Sequence, residues 1–359
     1  MASPLLRRHL LASGLWPVLG MPAGAAPGAR QELRFPRDLG AHPEFGIEWW
    51  YLTGWLSAAS AAQQAAFGFQ LTFFRSRVAA TQGMASAFAA KQLLFAHAAV
   101  TDLKGATMLH DQRIAREGFG IAQASTADTD VALRDWRLQR RAAHYTAAVG
   151  ATGFDFALNL SETQPLLLQG ERGLSRKGPQ AEQSSYYYSL PQLRARGTLR
   201  IGKQQHGVQG TAWLDHEWSD TLLHPQAVGW DWIGMNLFDG SALTAFRLRD
   251  KDGSAIWAGG SLRRSGAVVR DFAAHEVAFA PQRRWTSTAT RTDYPVEWRV
   301  QTPGASYTVK ALLENQELDS RASTGAIYWE GLSELFDSSG KLVGRGYLEM
   351  TGYASALRL

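Results

Sequence analysis

Three short stretches combine carboxylates with large aromatic side chains, a pairing suited to proton transfer in an apolar setting. The densest is Trp213-Leu214-Asp215-His216-Glu217-Trp218. Successive side chains of a strand point to opposite faces, so Asp215 and Glu217 share one face and His216 takes the other. A carboxyl group among apolar walls resists ionisation and can donate a proton, with His216 as a base or an orienting partner. The alternative is a strand-end network in which Asp215 or Glu217 pairs with an arginine. In the second stretch, Glu48-Trp49-Trp50-Tyr51-Leu52-Thr53-Gly54-Trp55, strand alternation puts Glu48, Trp50 and Leu52 on one face and Trp49, Tyr51 and Thr53 on the other. Glu48 is either a pocket acid beside Trp50 and Tyr51 or a core carboxylate satisfied by an arginine such as Arg75. The third is Gly229-Trp230-Asp231-Trp232-Ile233-Gly234. Here Asp231 could protonate an alkene while the indole faces of Trp230 and Trp232 stabilise the cation, although both tryptophans also read as core.

The catalytic candidates are therefore Asp215, His216, Glu217 and Asp231. The ligand-binding candidates are Glu48, Trp50, Tyr51, His97, Trp230, Trp232, Tyr328 and Trp329. His97 sits in an apolar run, Phe95-Ala96-His97-Ala98-Ala99-Val100, where it is either a satisfied core group or a pocket base. Glu330, Glu349 and Tyr353 repeat the aromatic–acid theme and are expected to shape a domain interface. No metal site is expected, because three adjacent residues cannot all ligate from one regular strand and no H-E-x-x-H pattern occurs. No G-x-S-x-G elbow provides a nucleophilic serine. With no nucleotide, flavin or haem motif visible, no cofactor is expected. The chain has no cysteine, which removes disulfides, thiol catalysis and thiolate ligands.

Alternating apolar runs separated by short turns point to strands as the elements that position these residues. They include Ile47–Leu56, Ala66–Phe74, Leu93–Asp102, Trp136–Arg141, His144–Val149 and Phe154–Leu160, with a short helix at Ser86–Gln92 the best helical candidate. The second half repeats the order of the first. Trp298-Arg299-Val300 echoes Trp136-Arg137-Leu138, and Tyr307–Leu313 echoes Tyr145–Val149. Tyr328-Trp329-Glu330 echoes Tyr187-Tyr188-Ser189, and Gly346-Tyr347-Leu348-Glu349 echoes Ala212-Trp213-Leu214-Asp215. Two up-and-down antiparallel β-barrels in tandem are expected, each with an interior cup able to hold one ligand. Residues 1–26 read as an export signal with a loose twin-arginine pattern at Arg7-Arg8. Residues 27–221 read as the first β-domain and 222–359 as the second. The formal charge of +5 is dispersed and partly sits on Arg7 and Arg8, which does not suit a nucleic-acid partner.

The chain resembles the CrtC/AttH family, which includes carotenoid 1,2-hydratase (hydroxyneurosporene synthase) and bacterial predicted secreted hydrolases. The matching stretches are Glu48–Gly54, Gly170-Glu171-Arg172-Gly173 with Ser175-Arg176-Lys177-Gly178, Trp213–Trp218, Gly229–Trp232, Tyr328–Gly331 and Gly346–Tyr353. They span nearly the whole chain after residue 26. The resemblance implies an all-β fold of two tandem lipocalin-like antiparallel β-barrels. It admits more than one activity, since a fold does not fix a function.

Two functions are therefore carried forward for a periplasmic or secreted, monomeric protein that takes a hydrophobic small molecule or lipid. One is acid-assisted hydration or isomerisation of a C=C bond in an isoprenoid or carotenoid-like ligand. The other is non-catalytic carriage of a lipid or hydrophobic metabolite, with an envelope transporter as partner. A structural envelope role is a weaker third. A buried acid facing an open cavity discriminates the first from the second.

Overall fold

The computed structural model describes residues 32–58, 64–220 and 223–357. The export signal expected at residues 1–26 lies outside the described residues. Strands dominate, as the alternating pattern requires. The only helical elements among the described residues are three short 3-10 turns, at Arg37–Leu39, Ala79–Thr81 and Ala274–Glu276. The helix expected at Ser86–Gln92 is absent. Val78 is bonded to Lys91 across that loop, and the next strand already begins at Gln92.

The fold is all-β, with lipocalin-like antiparallel sheets. In the first, a thirteen-stranded barrel-like sheet, the strands Ile47–Ala58 and Gln204–Ser219 lie side by side at the centre. On one side follow Phe67–Arg77, Gln92–Asp102 and Thr107–Arg116. On the other follow Ser184–Ile201, Phe154–Ser161, His144–Gly150, Trp136–Arg141, Asp130–Leu133 and Ala122–Ala124. The second sheet uses the same plan. Gly229–Leu237 lies beside the last strand, Leu342–Met350. Ala242–Arg249, Ala255–Arg263 and Val269–Phe272 lie on one side, and Ala326–Phe336, Ala305–Ala311, Glu297–Thr302 and Ala278–Pro281 on the other. First strand against last strand is thus repeated in both sheets, which is the duplication that the sequence echoes trace.

Three apolar clusters follow from this plan. One fills the concave side of the first sheet and includes Trp50, Leu52, Phe69, Phe73, Trp136, Leu214 and Trp218. A second fills the other sheet around Ile233, Trp298, Trp329 and Leu348. The third joins the sheets, bringing Tyr51, Leu167 and Trp213 against Trp232, Phe246, Leu332 and Tyr347. The sheets approach closely at Gly68. A Cβ there would stand 2.8 Å from the Tyr347 hydroxyl and 3.1 Å from Leu332 Cβ, so only glycine fits without displacement.

Candidate functional site

Strand alternation decides which side chains reach the space between the sheets. In the first sheet Asp215 is registered between Tyr51 and Ser189, and Glu217 between Trp49 and Tyr187. All six project toward the second sheet. There Glu349 is registered between Trp232 and Glu330. Asp215 and Glu349 thus hold equivalent places in the two copies, one acid from each central strand pair.

These residues line a cavity of about 320 Å³ between the sheets. Its walls are apolar and aromatic, with Trp49, Phe74, Phe95, Trp230, Trp232 and Phe246 among them, and Asp215, Glu217, Glu330 and Glu349 face into it. Among the described residues no arginine pairs with Asp215. Its Oδ1 accepts from Ser189 Oγ at 2.5 Å and Trp213 Nε1 at 2.7 Å, and its Oδ2 accepts from the Tyr187 hydroxyl at 2.9 Å. Burial raises its pKa, these neutral donors pull it part of the way back, and the charge of Glu217 raises it again, leaving it at about 7. Glu349 also sits at about 7, through burial, a donor in Trp230, and the charges of Asp215 and Glu217. Glu330 is held well above the carboxylate range by burial and by Glu349. Glu217 differs in having a cation. Lys177 Nζ lies 2.9 Å from its Oε1, and Ser185 Oγ donates to the same oxygen. That ammonium also lies 4.4 Å from the ring centre of Phe246 and 4.8 Å from that of Tyr187.

His97 and Tyr328 close one wall. His97 Nδ1 is 2.8 Å from the Tyr328 hydroxyl, and Nε2 is 2.8 Å from Ser323 Oγ. Burial and the charge of His110 lower the His97 pKa to about 3, so its ring is neutral near pH 7.

The structure places the candidate residues in three groups. Asp215, Glu217, Tyr51, His97, Trp230, Trp232 and Tyr328 line the cavity. Glu48, Trp50 and His216 point the other way, into the first sheet's concave side. There Glu48 Oε2 accepts from Arg75 Nε at 2.7 Å, and Oε1 lies 2.8 Å from both His42 Nδ1 and His216 Nε2. The Tyr188 hydroxyl meets His216 Nδ1 at 2.9 Å, and Trp50 stacks on its ring. The pairing of Glu48 with Arg75 is therefore the one realised, and His216 cannot assist Asp215 because the pleat turns it away. Asp231 and Trp329 lie in the second sheet's interior. Asp231 is held by Arg247 Nε at 2.7 Å, Arg249 Nε at 3.0 Å and the Tyr353 hydroxyl at 2.8 Å. Trp329 Nε1 donates to the Glu314 carbonyl at 2.7 Å. Asp231 thus lies away from the cavity, engaged by two guanidiniums, and does not face the space that holds Asp215. The interior cups expected of each barrel are largely filled with core side chains; the cavity lined by the candidate acids lies between the sheets, and a second cavity of about 330 Å³ lies against the second sheet at Leu237, Leu262, Tyr307 and Val343.

Lys177, Tyr187, Glu330 and Glu349 join the site from outside the sequence-based candidates. Glu330 and Glu349 carried a signal, since both stand in the echoed stretches. Lys177 lay within the Ser175–Gly178 stretch with nothing to mark it as inward-facing.

The donor atoms of His42, Glu48 and His216 lie within 4.8 Å of one another, a spacing compatible with a metal ion. Their chemistry argues for a hydrogen-bonded network. Both rings share one Glu48 oxygen, Arg75 occupies the other, and His42 Nε2 is 3.2 Å from Asp38 Oδ1. Burial pushes Glu48 up, but hydrogen bonds from His216 and His42 and their charge outweigh it and hold the carboxyl well below its usual range.

Comparison with known proteins places this architecture. A family model described as AttH-like matches residues 26–353. The crystal structure of a putative AttH from Nitrosomonas europaea is 46% identical, with a TM-score of 0.84 over 92% of this chain and 99% of that one. Kievitone hydratase from Nectria haematococca is 14% identical, with a TM-score of 0.68 over 92% of this chain and 95% of that one. CghA is also 14% identical, with a TM-score of 0.52 over 86% and 88% of the two chains. The two latter likenesses concern the fold. No curated protein matches the sequence.

Proposed function

This chain belongs to the AttH-like family, and from the chemistry of its cavity we propose that it is a hydratase or isomerase acting on a C=C bond of an apolar, isoprenoid-like ligand. One observation carries the reading. Asp215 faces an apolar cavity and is itself held by neutral donors, the cavity's Lys177 being paired with Glu217, and its pKa of about 7 leaves it protonated in part at neutral pH. The likeness in fold to a protein named kievitone hydratase supports the same class of reaction.

In this reading the alkene lies between Trp230, Trp232 and Phe246. The Asp215 carboxyl gives its proton to the less substituted alkene carbon, and the π electrons form the new C–H bond. The tertiary cation at the other carbon is stabilised by the aromatic faces and by the carboxylate left behind. Water adds to the cation, and its surplus proton passes to Glu349 or back to Asp215. Loss of a neighbouring C–H proton to the same base gives the isomer instead. Two acids that both titrate near 7 divide naturally into one donor and one acceptor. Ligand pockets range from about 300 to 1,000 Å³. A cavity of about 320 Å³ therefore suits a ligand of a few isoprene units, or the end of a longer polyene.

The apolar lining also supports carriage without chemistry. Incubating the protein with trisubstituted-alkene isoprenoids in ¹⁸O-labelled water separates the two readings. Incorporation of label into product, lost in Asp215→Asn, is the expected result. Tight binding with neither label uptake nor solvent-deuterium exchange would establish the carrier. If the leader read at residues 1–26 acts as such, either activity would be exercised outside the cytoplasm, where a carrier would need a transporter as partner.

A further inference from the structure

The cavity presents more polar groups than the chemistry above uses. Beside Asp215 and Glu349, their register partners, Tyr51 from the first sheet and Glu330 from the second both face the cavity and are almost fully buried, at 6% and 2% exposure. The two side chains interact with each other, but among the described residues neither the Tyr51 hydroxyl nor Glu330 Oε1 makes a hydrogen bond of good geometry. Glu330 is fixed from behind. Gln70 Nε2 donates to its Oε2 at 2.7 Å and also lies 3.4 Å from the Tyr328 hydroxyl, while Gln70 Oε1 has no partner. A buried polar atom without a good hydrogen bond is costly, and here two such atoms converge on one apolar space.

We infer that Tyr51 and Glu330 form a second subsite, which recognises a neutral hydroxyl group, an alcohol or a phenol, on the otherwise apolar alkene ligand. The inference rests on the cavity's being the ligand site. A hydroxyl is one donor and one acceptor, and the pair offers both, from a phenolic O–H and a carboxyl group. A carboxylate or phosphate headgroup would meet four acids, Asp215, Glu217, Glu330 and Glu349. An ammonium headgroup would need Glu330 ionised, whereas burial and Glu349 hold it protonated well above the usual range. The subsite would hold the ligand's hydroxyl beside Asp215 and Glu349, and so fix which alkene lies against the acids.

The test compares farnesol, farnesyl methyl ether, farnesylamine and farnesene as probes, with binding followed by quenching of the cavity tryptophans. Wild type is expected to prefer farnesol over farnesene by about tenfold, the effect of one well-made buried hydrogen bond. The methyl ether, which cannot donate, falls between. Tyr51→Phe and Glu330→Gln should each cut that preference, read as the ratio of the farnesol to the farnesene affinity of the same variant, to about threefold or less. A circular-dichroism melt verifies that both variants fold. Equal wild-type affinity for farnesol and farnesene, or a preference that survives in both variants, overturns the subsite and leaves the proposed activity standing. Tighter binding of farnesylamine than of farnesol overturns it in favour of a cationic headgroup. Failure to bind all four probes overturns the activity and the subsite together.

Discussion

Two clusters of buried acids lie on opposite faces of the same strand pair, and they behave in opposite ways. Glu48 and Asp215 are equally removed from water. Glu48 meets Arg75 and two histidines, and is held ionised. Asp215, three positions from Trp218 on the partner strand, meets two hydroxyls and an indole, and titrates near 7. Burial alone raises both. The sign of the outcome is set by whether the neighbours are cations or neutral donors. The second sheet repeats the contrast, with Asp231 clamped by Arg247 and Arg249 on its inner face and Glu349 near 7 toward the cavity. In both copies the inner-face acid ties strands together and the cavity-face acid is free to exchange a proton.

The contrast can be broken most sharply at Asp215. Asp215→Asn should lower turnover about 10²- to 10⁴-fold, the usual range for a lost general acid, with little loss of thermal stability. A large drop in melting temperature at unchanged turnover would reverse the two assignments. Glu48→Gln should do the opposite. It leaves Arg75 and His42 without their counter-charge, and breaking such a buried pair costs about 3–5 kcal/mol. Turnover at temperatures where the variant remains folded should persist, and denaturant titration beside an activity assay reads both.

The pH dependence sharpens the same comparison. Between the ordinary carboxylate range and about 7, the folded protein keeps protons on Asp215 and Glu349 that the unfolded chain has lost. That contribution is present in full at low pH and disappears as pH rises through 7. Glu48 has the opposite sign. Its contribution exists above the usual carboxylate range and is lost as pH falls below it. The stability of Glu349→Gln minus that of wild type should therefore rise between about pH 4 and 7, and a flat difference would contradict the shift assigned to Glu349. The smallest effect is expected at the contact between sheets. Gly68→Val should strain the approach to Tyr347 and Leu332 at about 1–3 kcal/mol, and should weaken ligand binding more than it slows folding. Stopped-flow refolding beside probe titration measures both.

Much of this arrangement is legible from residue order alone. The strand Ile47–Ala58 follows the alternation of Glu48 through Trp55. The opposite orientation of His216 relative to Asp215 and Glu217 follows from the period of two, and the echoes between halves trace the repeated pairing of first strand with last. Alternation defines two faces and does not say which face meets another sheet. For that reason Trp50, His216 and Asp231 looked as suited to a ligand as Tyr51 and Trp232. The cavity lies between the sheets because each concave side is packed with its own core, and because Gly68 lets the two outer faces approach. Lys177, Glu330 and Glu349 reach the cavity that Asp215 faces across separations in the chain that no local pattern spans. A carboxyl group's charge in the interior depends on which of these distant neighbours arrives beside it. The sequence by itself determined the strands, their faces and the family. Only the tertiary structure decided which acids stay ionised and which keep a proton to give.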